Sequence, residues 1–264
     1  MIMDNITPTP SPVPPPINTG ASGIPGFVPL GDIPEEREPI RNSIAAVEAI
    51  LRQPRRVMYQ LRQPGAGRLI VAMLFVSIVC SLVYGLVVGT FSAGIQLWAA
   101  PVKIAGGLLV SALICLPSLY IFTCLSGSQA RLSEIFGLVA GLLMLMTILL
   151  IGFAPVAWLF SQSTKSVTWM GALHLVFWLI ATFFGLRFLE NGFSHSKARS
   201  TAGLNTWIII FVLVAMQMTT ALRPIVGKAD TLLPTDKKFF VTHWSEWLKS
   251  TNSGPNGAAK PLAD

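Results

Sequence analysis

The stretch Leu69-Ile-Val-Ala-Met-Leu-Phe-Val-Ser-Ile-Val-Cys-Ser-Leu-Val-Tyr-Gly-Leu-Val-Val-Gly-Thr-Phe91 decides the fold of this chain. A helix rises about 1.5 Å per residue, so roughly 20 apolar residues cross the hydrocarbon core of a bilayer, which is about 30 Å thick. A surface helix of a soluble protein keeps one polar face, whereas apolar residues surround the whole of this one. The stretch therefore predicts a membrane-spanning helix.

Further apolar runs of similar length follow at residues 101–125, 136–160, 169–189 and 204–222. The composition agrees, because 52% of the residues are hydrophobic and only 12% are charged, whereas a soluble domain carries about 25% charged residues. The sequence predicts an all-α protein: an integral membrane helical bundle with five transmembrane helices over residues 69–222, flanked by amphipathic interfacial helices.

Both ends of the chain fall outside this membrane domain. Residues 1–35 contain the run Thr7-Pro-Thr-Pro-Ser-Pro-Val-Pro-Pro-Pro16, which predicts a disordered cytoplasmic tail because proline removes amide donors and favours extended chain. This tail is either a spacer or a ligand for a proline-binding domain. Residues 223–264 form a second tail, in which an amphipathic helix at about 236–249 places Phe240, Trp244 and Trp247 on one face.

Residues 36–68 form a basic amphipathic segment. Ile40, Ile44 and Val47 recur at helical spacing, and Pro54 divides the segment into two pieces. The segment predicts either an interfacial helix on an anionic leaflet or a docking surface for a protein partner. The candidate lipid- or partner-binding residues are Arg52, Arg55, Arg56 and Arg62.

Basic residues near the ends of the spans predict the orientation. They are densest just before the first span, and more occur in the loops that lie on the same side as that end. Because cytoplasmic loops carry an excess of Lys and Arg, we expect the N-terminus to be cytoplasmic and the C-terminus to lie outside. The net charge of +7 thus belongs to the membrane surface, and no nucleic-acid partner is expected.

Three residues within the spans are candidates for an intramembrane function. Pro117 and Pro155 predict kinks, and broken helices line many transporter sites. His174 is an ionisable group within a span, where such groups are rare. It either takes part in transport or simply hydrogen-bonds across helices. The glycine pairs Gly85/Gly89 and Gly137/Gly141 predict close helix packing, either within the chain or between copies of it.

No catalytic signature is present in the sequence. It lacks a zinc-protease H-E-x-x-H motif, a Walker A loop and a dinucleotide fingerprint, and its spans contain no aspartate. Cys80, Cys115 and Cys124 lie within predicted spans, where they suit small apolar positions. We therefore expect no enzymatic activity, no cofactor and no metal site.

The segment Ile50-Leu-Arg-Gln-Pro-Arg-Arg-Val-Met-Tyr59, followed closely by the first span, resembles the entry segment of the Yip family of Ypt/Rab-interacting multi-pass membrane proteins. The resemblance runs from Glu48 to about Phe160 and is to the bacterial branch. It implies a proline-rich cytoplasmic tail, five spans and a location in the bacterial cytoplasmic membrane. It implies an architecture, and it assigns no functional residue.

Two functions fit these features. The first is a non-enzymatic scaffold or adaptor, which packs in the bilayer while its basic segment engages anionic lipid or a protein partner, with a homo-oligomer as a further possibility. The second is a transporter or channel subunit for a small solute, ion or lipid, which would use the two proline-containing helices and His174.

Overall fold

The computed structural model describes residues 29–92, 96–128, 130–163, 167–194 and 202–221, and every regular element within them is a helix. The proline-rich run of the N-terminal tail and the predicted helix at about 236–249 lie outside the described residues. The helices are α1 Pro34–Arg37, α2 Ser43–Arg52, α3 Pro54–Leu61, α4 Gly67–Ser92, α5 Gln96–Leu125, α6 Leu132–Ser163, α7 Val167–Ser194 and α8 Ala202–Ala221.

Four of these helices, α4 to α7, are long and apolar enough to cross a membrane. Each contains a predicted span and extends beyond it by one to five residues, except at Leu125, where α5 and its predicted span end together. The fifth predicted span corresponds to α8, whose apolar part, Ala202–Met218, is shorter. The predicted boundary at residue 35 falls inside α1.

The long helices pack side by side, and α6 lies at the centre. It contacts α4 on one side and α7 on the other, while α5 packs against α4 and α8 packs against α5. In the most apolar 18-residue stretch of α6, 67% of the residues are buried, whereas 33% are buried in the corresponding stretches of α4, α5 and α7. Side chains therefore surround α6, whereas the other spans each keep an outer surface.

Large apolar side chains cover that outer surface. Val71 and Phe75 on α4, Leu113 on α5 and Ile209 on α8 are each more than 60% exposed. A soluble monomer rarely exposes a continuous apolar surface of this extent. Hydrocarbon tails are the solvent that such a surface fits.

Glycines allow the helices to approach closely within the chain. A Cβ atom on Gly85 of α4 would meet the backbone of Pro101 in α5, 2.9 Å from its nitrogen. A Cβ on Gly141 of α6 would lie 2.6 Å from the ring of Phe188 in α7. Of the two predicted roles for these glycines, packing within the chain is thus confirmed for Gly85, Gly137 and Gly141.

The three short helices form a cap on the N-terminal end of the bundle. Apolar residues on one face of α2 and α3 are buried and belong to the same hydrophobic core as the long helices. Leu61 packs on Gly137 of α6, and Ile50 lies near Gly141. We call residues 29–61 the N-terminal cap. The bundle therefore occupies most of the apolar face of the predicted amphipathic segment, whereas Ile44, which the helical spacing placed on that face, is 82% exposed.

Candidate functional site

Two of the four candidate arginines hold the chain's own N-terminal segment. Residues 29–38, here called the acidic strap, run across α3. Arg56 donates from Nε to the carbonyl of Glu38 at 3.0 Å, and its Nη2 lies 3.3 Å from Glu38 Oε2. Arg55 donates from Nη2 to the carbonyl of Pro29 at 3.1 Å. The basic face of α3 is thus covered by an acidic segment of the same chain.

Glu36 is the central residue of the strap. Its side chain is 5% exposed, and one carboxylate oxygen accepts from Arg55 Nε while the other accepts from the Gly31 amide. Gly31 has φ +94°, a conformation that glycine adopts without strain, and the ring of Tyr59 fills the space where a Cβ would stand. A buried carboxylate needs such partners, because removing a charge from water is costly.

The amide of Gln60 also fastens the strap. Its Nε2 lies 3.1 Å from the carbonyl oxygen of Glu38 and 3.3 Å from that of Arg37. Arg37 in turn donates from Nε to the Gly31 carbonyl at 2.6 Å. The carbonyls of Arg37 and Glu38 lie at the end of the short helix α1, where they have no intrahelical partner, and Gln60 supplies one.

The other two candidate arginines are open to solvent to different degrees. The side chain of Arg52 is 75% exposed, and its one ion pair among the described residues is with Glu48, one helical turn earlier, at 2.9 Å. Such an exposed pair is worth little and is screened by salt. Arg62, at the end of α3, is half-buried, and within the described residues its side chain has no ion pair.

His174 forms a link between α7 and α4. Its Nδ1 lies 2.8 Å from the hydroxyl of Tyr84, and the two rings meet edge to face. The hydrogen bond across helices that the sequence predicts is therefore present. The other ring nitrogen, Nε2, is buried and has no hydrogen-bond partner among the described residues.

The two prolines do not join His174 in one site. Pro117 and Pro155 lie inside α5 and α6, and each helix continues through its proline. Both prolines are exposed on the outside of the bundle. Near Pro117, the carbonyl of Cys115 accepts a hydrogen bond from Trp207 Nε1 of α8 at 2.8 Å, which joins these two helices.

Hydroxyl groups within the spans bond mainly to their own helices. Ser77 donates to the carbonyl of Met73, Ser111 to Gly107 and Thr147 to Leu143, at 2.7 to 2.9 Å. Such bonds satisfy a hydroxyl without an outside partner. In the part of the chain that the structure describes, no three His, Cys, Asp or Glu residues form a group that could hold a metal ion.

These features define the class: a multi-pass membrane protein built as a helical bundle, with a cap of short helices at one end. No protein-family model, curated protein or solved structure matches this chain.

Sequence reasoning missed the acidic strap. The signal was present, because Glu35, Glu36 and Glu38 precede the arginines by about 20 residues. The sequence prediction paired these arginines with lipid or another protein and not with a segment of the same chain. Tyr84, the partner of His174, was also missed, since its tyrosine hydroxyl lies in an otherwise apolar run.

Proposed function

We propose that this protein is a five-span, non-enzymatic membrane scaffold or adaptor whose N-terminal cap engages an anionic lipid surface or a protein partner. Here α8 is the fifth span: its 20 residues, at about 1.5 Å each, give about 30 Å. Trp207 ties α8 to α5 within that length.

The observation that supports this proposal is the packing of the cap. Its apolar residues Val57, Met58 and Leu61 are buried against the bundle, while Arg41 and Arg52 are exposed on its surface. A charged surface held by a rigid core loses little conformational entropy on binding.

The distribution of arginines further supports a cytoplasmic N-terminus and an outside C-terminus. The resemblance to bacterial Yip proteins supports a bacterial cytoplasmic membrane as the location. On this proposal, Arg52 and Arg62 make the first contacts with the anionic surface, and Arg55 and Arg56 join them when the strap leaves α3.

Neutralising the open arginines tests the proposal. In nanodiscs that contain phosphatidylglycerol, Arg52→Gln with Arg62→Gln is expected to reduce retained anionic lipid about tenfold or more, since each basic residue near an anionic surface contributes about 1 kcal/mol. Native mass spectrometry measures the retained lipid, and a tagged co-purification measures protein partners.

The matched control replaces the same two arginines by lysine, which keeps the charge. Retention close to the wild-type value is expected for this control. If the glutamine variant retains lipid and partners as the wild type does, the proposed role of the cap is wrong.

A transporter or channel subunit is the second candidate. The buried Nε2 of His174, without a partner among the described residues, favours it, because unpaired ionisable groups inside a membrane often belong to ion pathways. The exposed positions of Pro117 and Pro155 do not add to this candidate, since a site between broken helices needs them to face the interior.

Flux through proteoliposomes tests this second candidate. A transporter that uses His174 is expected to lose its pH dependence in His174→Ala, while Tyr84→Phe keeps the imidazole but removes the hydrogen bond. No flux of protons, common ions or small solutes by the wild type would remove this candidate and leave the scaffold proposal untouched.

A further inference from the structure

A cavity of about 300 Å³ lies between the ends of α5, α7 and α8 at the N-terminal end of the bundle. α7 packs on α6 and α8 packs on α5, so the two helices leave a space between them. The volume is at the lower limit for small-ligand sites, which run from about 300 to 1,000 Å³. The cavity is partly open to the outside.

The cavity lies at the level of the lipid head groups. Its walls come from the last turns of α5 and α7, which end at Leu125 and Ser194, and from the first turn of α8, which begins at Ala202. Apolar spans end where the hydrocarbon core meets the polar head groups. With α8 as the fifth span proposed above, a gap between the helices at this depth is open to lipid.

The lining combines apolar and polar side chains. Leu119, Phe122 and Leu204 supply apolar surface, and Asn205 and Ser126 supply polar groups. Ser126 donates its hydroxyl proton to the Phe122 carbonyl at 2.8 Å, so its oxygen remains available as an acceptor. An amphipathic lining of this kind suits a molecule with a polar head and an apolar tail.

Among the described residues, Glu190 is the only ionisable side chain that lines the cavity. Within the described residues it has no ion pair. Arg187 lies one helical turn earlier on α7, is exposed and does not line the cavity. The described part of the lining therefore offers one negative charge with neutral hydrogen-bonding groups beside it, and a cation complements it.

We propose that this cavity binds the head group of a zwitterionic aminophospholipid, with the primary ammonium at Glu190. A primary ammonium donates to the carboxylate and to the Ser126 oxygen, whereas a quaternary ammonium has no N–H to donate. The amide of Asn205 supplies a donor to the phosphate. This site is separate from the cap arginines, which favour anionic head groups.

Lipid retention tests the proposal on the full-length protein. The protein is exchanged into nanodiscs with equal amounts of phosphatidylethanolamine, phosphatidylcholine and phosphatidylglycerol, then released and weighed by native mass spectrometry. Phosphatidylethanolamine is expected to be retained preferentially. Glu190→Gln is expected to lower its retention about tenfold, since the ammonium loses the charge on its hydrogen-bond acceptor.

Two further variants separate the site from general effects. Glu48→Gln removes a 63% exposed carboxylate from the cap and is expected to leave phosphatidylethanolamine retention unchanged. Asn205→Ala is expected to lower retention severalfold and to leave the preference for an ammonium intact. Lipid retention is compared only among variants whose melting temperature equals that of the wild type, which excludes unfolding as the cause of a lower retention.

Three results would overturn the proposal. One is equal retention of the three lipids by the wild type, and another is unchanged phosphatidylethanolamine retention in Glu190→Gln. The third is binding of free phosphoethanolamine by a protein that retains none of the three lipids, which would assign the cavity to a soluble amine. None of these results bears on the cap arginines, so the scaffold proposal stands or falls separately.

Discussion

Replacing Gly85 by alanine is expected to destabilise the bundle more than any other single-methyl substitution proposed for it. The added Cβ would meet the backbone of Pro101, 2.9 Å from its nitrogen and 3.2 Å from the Ala100 carbonyl oxygen. A flexible side chain could rotate away, but the ring of Pro101 and the helix around it fix this backbone. α4 and α5 would have to separate.

The expected cost is about 1 to 3 kcal/mol, the usual range for an extra methyl group in a packed core. In a membrane, close packing of helix backbones is a main source of association, since lipid tails are as apolar as the side chains. The effect is measured as the melting temperature in mild detergent, read from tryptophan fluorescence, which is expected to be lower in Gly85→Ala than in the wild type.

Gly106→Ala is the matched control on α5. A Cβ at Gly106 meets nothing within 4 Å, and alanine favours helix over glycine by up to about 1 kcal/mol. This control is expected to melt at the wild-type temperature or above it. Equal melting temperatures for the Gly85 and Gly106 variants would contradict the close approach of α4 and α5.

Replacing Glu36 by glutamine is expected to release the acidic strap from α3. The carboxylate accepts hydrogen bonds from both Arg55 and the Gly31 amide. Glutamine has only one side-chain oxygen, so its NH2 group would face one of these two donors and that hydrogen bond would be lost. Losing one partner of a buried ion pair costs about 3 to 5 kcal/mol. The side chain of Arg55 is 33% exposed, so water screens part of its charge. We therefore expect the substitution to weaken the binding of the strap to α3 by about 2 kcal/mol.

Hydrogen–deuterium exchange across residues 29–38 measures the release. The Gly31 amide should exchange about 30-fold faster in Glu36→Gln than in the wild type, because a loss of about 2 kcal/mol raises the ratio of open to closed strap by that factor. Release also frees Arg55 and Arg56, so retention of anionic lipid should rise in the same variant.

Glu35→Gln provides the control, since Glu35 is the exposed neighbour of Glu36 in α1. It removes one negative charge from the same helix without removing the buried carboxylate. Exchange at Gly31 is expected to stay at the wild-type rate. Equally fast exchange in both variants would mean that total charge, and not the buried pair, holds the strap.

The spans could be predicted from sequence because their length and composition are local properties. Each predicted span lies within, or nearly within, one observed helix, and the helices extend a few residues further because a helix can continue into the head-group layer. The spacing of the glycine pairs that contain Gly85 and Gly141 also predicted close helix packing. Their partners, Pro101 and Phe188, could not be predicted from that spacing.

The candidate site was harder to predict. Glu36 meets Arg55 across 19 residues, and Tyr84 meets His174 across 90. An exposed arginine and one bound to a nearby carboxylate have the same sequence signature. Only the path of the strap distinguishes Arg55 and Arg56 from Arg52.

The sequence by itself determined the surroundings of this protein: helices that are apolar on every side and long enough for a bilayer have one suitable solvent. The tertiary structure decided that α6 lies at the centre, that the cap rests on the bundle, and that α5, α7 and α8 enclose a cavity. The physical reason is that a uniformly apolar helix has no preferred face. Its neighbours follow from close packing and from a few hydrogen bonds between residues far apart in the chain.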